Sequence, residues 1–163
     1  MTKLQKTVLI LMAAAMAVLL IAASVVFFTR QPPAPIINEF TPPAFDPAAQ
    51  SGIPDAPPSY SMLELKETAV ISMCANISLE NNAAQVFFTS HEGNQGWMKI
   101  KLLDDQGKLL GESGLVRPGE YLQAVTLAQV PKEAGLISAK ILIYEPDTYL
   151  SLGSASVEVM LVK

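Results

Sequence analysis

From residue 59 onward the chain alternates apolar and polar positions with a period of two. Ile71, Met73, Ala75, Ile77 and Leu79 are interleaved with Ser72, Cys74, Asn76 and Ser78. That is the pattern of a half-buried strand, because successive side chains of an extended backbone point to opposite faces. Met98, Ile100 and Leu102 alternate in the same way with Lys99 and Lys101. Ile137, Ala139, Ile141 and Ile143 are spaced by Ser138, Lys140, Leu142 and Tyr144. Ala155, Val157, Val159 and Leu161 are spaced by Ser156, Glu158, Met160 and Val162. No window carries the apolar face of an amphipathic helix.

Turn chemistry separates these runs. Asp104-Asp105-Gln106-Gly107 lies between two apolar segments, with a glycine free to take positive φ. Arg117-Pro118-Gly119-Glu120 puts proline and glycine at the central positions of a type II turn. Glu145-Pro146-Asp147-Thr148 is another turn; Asn81-Asn82 and Ser90 to Gly96 read as loops. Seven or eight short strands with such punctuation predict an all-β domain over 59–163, an antiparallel β-sandwich.

The front of the chain has a different pattern. Val8 to Phe28 is a run of 21 residues without charge, proline or glycine. As a helix it spans about 31 Å, enough for a bilayer core of roughly 30 Å. Lys3 and Lys6 precede it and Arg30 follows. The positive-inside tendency then predicts a short cytoplasmic tail (1–7), a transmembrane anchor (8–28) and an exported remainder. The rival reading is a signal peptide cleaved near Ala22-Ala23-Ser24. The run continues through Val25-Val26-Phe27-Phe28, longer than a signal peptide needs. Nine of the twelve prolines fall within 29–58. They exclude helix and central strand there and predict an extended extracytoplasmic linker. Ile36, Ile37, Phe40 and Phe45 interrupt it as apolar residues.

Composition narrows the function. The net charge is −4, which does not suit a nucleic-acid binder. One cysteine and one histidine exclude a disulfide framework and a Cys/His zinc site. No cofactor or metal is expected.

The order Leu63-Glu64-Leu65, then Asn76-Ile77-Ser78-Leu79-Glu80-Asn81, then Met98 through Asp104-Asp105-Gln106-Gly107 to Arg117-Pro118-Gly119, carries a resemblance. It resembles uncharacterised small membrane-anchored surface proteins of Gram-positive bacteria. The resemblance implies an immunoglobulin-like sandwich as the exported part and a surface location. It implies no catalytic residue.

Candidate chemistry is sparse. His91, in Ser90-His91-Glu92-Gly93, could serve a serine–histidine–acid hydrolase only if distant groups converge, and there is no nucleophile-elbow signature. Asp104-Asp105 lacks the rest of a calcium loop and reads as turn residues. Cys74 alternates onto the face opposite Ile71 and Met73 and reads as an unpaired thiol acting as a small apolar group. Asn76-Ile77-Ser78 fits a glycosylation acceptor but lies mid-strand. Trp97 leads a polar-face series with Lys99 and Lys101, and these three are the expected partner contact, since an exposed indole suits anchoring. The sequence therefore predicts a non-enzymatic cell-surface module, single-pass and stalked. Its expected partners are the bilayer, through the N-terminal helix, and a surface protein or cell-wall polymer. The alternative is a carbohydrate-binding module using Trp97, Tyr121 and Tyr144.

Overall fold

The computed structural model describes residues 41–65 and 69–162, together with 3, 5, 6, 12, 15 and 16. The chain divides into two compact units, Met1–Phe40 and Thr41–Lys163. In the first, the six described positions are helical. The expected tail, the anchor Val8–Phe28 and the linker up to residue 40 otherwise lie outside the described residues. Among the described residues no helix is long and apolar enough to cross a membrane.

The second unit is all-β, with twelve strands among its described residues: β1 (Gln50–Ser51), β2 (Tyr60–Leu65), β3 (Ala69–Cys74), β4 (Asn76–Glu80), β5 (Ala83–Ala84), β6 (Phe88–Ser90), β7 (Trp97–Leu103), β8 (Leu109–Glu112), β9 (Glu120–Leu122), β10 (Val125–Thr126), β11 (Gly135–Tyr144) and β12 (Ser151–Val162). They form a five-stranded sheet, β1-β9-β6-β3-β2, and a seven-stranded sheet, β10-β5-β4-β12-β11-β7-β8. One core serves both. Ile71, Met73, Phe88 and Leu122 come from the first sheet; Ile77, Ile100, Leu102, Ile141 and Leu161 come from the second.

The expected strand number is too low because the chain changes sheets in the middle of apolar runs. The alternation from Ile71 to Leu79 is two strands, β3 in one sheet and β4 in the other, broken at Ala75. The stretches 83–90 and 120–126 divide in the same way, into β5 and β6 and into β9 and β10. A strand that crosses between sheets over a shared core keeps the same side inward, so its alternation is unbroken. The switch also corrects the purely antiparallel expectation. β4 enters the second sheet without a hairpin and runs parallel to β12, with Met160, Leu161 and Val162 beside Asn76, Ile77 and Ser78.

The predicted turns are present. Gly107 and Gly119 have φ of 78° and 79°. Asp104 Oδ1 accepts hydrogen bonds from the Gln106 and Lys108 amides, and the Glu120 amide donates to the Arg117 carbonyl. Asn81 and Asn82, both left-handed, close the β4–β5 hairpin.

Residues 41–58, expected to be linker, pack on the β unit instead. The Leu115 amide donates to the Ala44 carbonyl and the Asp46 amide to the Leu115 carbonyl, at 2.9 and 2.8 Å. Asp46 Oδ2 accepts from the Gly114 amide at 2.8 Å. A Cβ on Gly114 would lie 2.6 Å from the Asp46 nitrogen, so this approach needs a glycine. Proline density argues against helix, but it does not prevent an extended segment from docking at an edge.

Candidate functional site

On the outer face of the five-stranded sheet, register builds a row from Gln50 through Tyr121, Thr89 and Ser72 to Met62. Tyr60 and Cys74 form the next row at the β2–β3 end. β1 and β2 are the two edges of this sheet, so residues 52–59 must pass from one edge to the other. Gly52 and Ile53, at the start of that crossing, line a groove of about 580 Å³ with Tyr60, Met62, Ser72, Thr89 and His91. The Tyr60 hydroxyl and Thr89 Oγ1 meet at 2.6 Å, so the tyrosine ring reaches over β3. Such cover accounts for the burial of Ser72 and Thr89 on a face turned away from the core.

His91 follows β6 and continues its outward parity with Thr89. Its Nε2 lies 2.9 Å from Ser72 Oγ. The two residues are nineteen apart in sequence, and the β3–β6 pairing brings them together. The sequence leaves His91 in a loop, where this contact has no local signal. Asn94 fixes the turn beyond it. Its side-chain oxygen accepts from the Val70 amide and its nitrogen donates to the Val70 carbonyl, both at 2.7 Å, and that nitrogen also donates to Ser90 Oγ. A side-chain amide thus pairs with β3 much as a strand backbone would.

Chemically, the serine–histidine pair is two parts of a nucleophilic triad. Glu92 lies over Gly119, and among the described residues no carboxylate bonds to His91. The walls add an apolar contribution, since Ile53 is 86% exposed and Met62 62% exposed. The groove therefore offers polar hydroxyl and imidazole groups on its floor and apolar side chains at its rim. Cys74 is fully buried on this side of β3. Burial pushes its thiol pKa up, only partly offset by a hydrogen bond with Ser59.

The expected contact residues Trp97, Lys99 and Lys101 share the outer face of β7, as alternation predicts. They are engaged within the molecule. Trp97 packs edge-on against Phe45 and Tyr149, with ring centroids at 4.8 and 5.3 Å. Arg117 covers the Phe45 ring at 3.5 Å. Lys99 and Lys101 both bind Glu112, at 2.8 and 3.2 Å, and the Lys99 side chain is only 13% exposed. The Lys99 hydrogen bond holds the Glu112 carboxyl below its ordinary pKa; burial works the other way and Lys101 assists. Trp97 is half-buried, with the docked segment around Phe45 covering part of the indole. Tyr121 lies on the groove row, bonded to Gln50, whereas Tyr144 pairs with Trp97 across β7 and β11. No family model matches the chain, and no curated protein or solved structure is significantly similar to it.

Proposed function

We propose that the protein is a non-enzymatic, membrane-anchored surface module whose β unit is an immunoglobulin-like sandwich that binds another protein. The proposal keeps the anchor at Val8–Phe28 and the extracytoplasmic location implied by the apolar run and its flanking lysines. One observation carries the binding reading, the groove between Ile53, Met62, Ser72 and His91. Exposed apolar rims beside hydrogen-bonding groups suit a polypeptide that offers both kinds of surface. The glycan alternative loses its main support, since Trp97 is packed between Phe45 and Tyr149. The serine–histidine pair is read as part of the groove floor.

A photo-crosslinking residue at Ile53 of the full chain, expressed in cells, tests the reading. A discrete protein adduct, lost with Ser72→Trp in the groove floor, is expected. A ladder of glycan-bearing species would favour the cell-wall alternative. Adduct no greater than from the same residue at exposed Leu150 would overturn both.

A further inference from the structure

The edges of the two sheets are managed differently. In the seven-stranded sheet the terminal strands β10 and β8 approach each other, and a bridge between Gly111 and Leu127 joins the two ends. A Cβ on Gly111 would lie 2.5 Å from the Thr126 carbonyl oxygen, so this closure depends on a glycine. In the five-stranded sheet β1 is only two residues long, but β2 is six and, among the described residues, has no strand beyond it. Natural edges are usually blunted by proline, lysine or a bulge. Tyr-Ser-Met-Leu-Glu-Leu has neither residue, and its register with β3 is unbroken.

The direction of the free backbone groups follows from the ladder. The Ala75 amide donates to the Ser59 carbonyl. In an antiparallel pair the bonded positions alternate, so Ser61, Leu63 and Leu65 face β3. The amides and carbonyls of Met62 and Glu64, with the Tyr60 carbonyl, then face the open side. The Tyr60 amide is already donated to the Pro57 carbonyl.

We infer that β2 is a homodimerisation edge, pairing antiparallel with β2 of a second copy about a two-fold axis at Met62. Only outward-facing residues can exchange bonds; registers centred on Ser61 or Leu63 also meet this condition, and the one centred on Met62 is preferred because it sets the exposed Met62 side chain against its own equivalent. Met62 bonds reciprocally with its symmetry mate, and each Glu64 amide donates to the Tyr60 carbonyl of the other copy. The outer faces of both sheets then lie on one side, making one continuous sheet across the dimer. The register also suits the side-chain types. Met62, which is largely exposed, meets its own equivalent. An edge that is self-complementary in bonds and apolar contact fits a second copy of this chain, the isologous arrangement of a two-fold dimer. The inference concerns the edge and does not depend on what fills the groove.

Disulfide trapping in cells expressing the full chain tests it. Directly opposed residues of a bonded antiparallel pair have Cα atoms about 5.5 Å apart, within disulfide reach. Met62→Cys is made in a Cys74→Ala background, because Cys74 is its diagonal neighbour on the same face. Mild oxidation is expected to give a reducible band at twice the monomer mass, at least tenfold above Leu150→Cys, which is a control at an equally exposed position. Ser61→Cys, which meets Leu63 instead of itself in this register, should give no more than that control. Equal yields from Met62→Cys and Leu150→Cys would overturn the inference, as would trapping of Met62→Cys solely to a different protein. Co-capture of two differently tagged copies keeps the test independent of the cysteine. Met62→Lys, which sets two lysines opposite each other, should reduce capture about tenfold relative to Met62→Leu; equal capture would also overturn it.

Discussion

In the seven-stranded sheet β11 and β12 are paired over ten registered positions, whereas the longest pairing in the five-stranded sheet, β2 with β3, covers six. β11 is flanked on both sides by long strands and sends Ile137, Ala139, Ile141 and Ile143 into the core. The five-stranded sheet is assembled from shorter pieces and supplemented by side chains, Asn94 against Val70 and Tyr60 against Thr89. One sheet is held by burial and ladder length, the other by a few long-range polar contacts. The second arrangement leaves a groove and, among the described residues, an edge with no further strand, so both proposed contact features belong to the less extensively paired sheet.

Each sheet can be weakened at its own support. Ile141 is fully buried at the middle of β11, and Ile141→Ala should cost about 2–5 kcal/mol, the range for large-to-small core substitutions. Urea unfolding monitored by circular dichroism measures it; a loss below about 1 kcal/mol would mean that the seven-stranded sheet does not hold the core. Asn94→Ala removes the partner of both Val70 backbone groups and should cost about 1–3 kcal/mol. Amide hydrogen exchange should then rise at Val70 and around His91 while β11 stays protected. Uniform exchange across both sheets would deny the five-stranded sheet its separate support.

Smallest is the charge cluster on the outer face of β7. Lys99 and Lys101 hold the Glu112 carboxyl below its ordinary pKa. A carboxylate depressed by folding stabilises above its unfolded pKa, about 4.3, and that contribution is lost as pH falls through the folded value. Glu112→Gln should therefore cost less than about 1 kcal/mol at pH 7, because the carboxylate is partly exposed. The deficit should vanish well below pH 4. A deficit that persists unchanged in acid would mean that packing, and not charge, is responsible.

Alternation made the core legible: Ile100, Leu102, Ile141 and Leu161 are buried as their period demands. The turns at Gly107 and at Pro118-Gly119 were legible because glycine takes positive φ without steric cost. The sheet changes were not, since parity relative to a common core is continuous through Ala75. The candidate site was legible only in fragments. Ser72 shows its outward parity in sequence, but its contact with His91 depends on which strands become neighbours. Trp97 shows its outward parity in sequence, but its partial cover comes from Phe45, in a proline-rich stretch whose docking carries no periodic signal.

The Phe45 contact also has a mechanical consequence. Any tension on the chain from ahead of Thr41 enters the β unit at Ala44–Asp46, where backbone bonds to Leu115 run in parallel register and the ring lies between Arg117 and Trp97. Drawn along its own direction, this segment loads its bonds and ring contacts in shear, several together, so they do not open one after another from an end. The clasp acts as a strain relief, taking a pull applied at Thr41 before it can reach β2 or the groove.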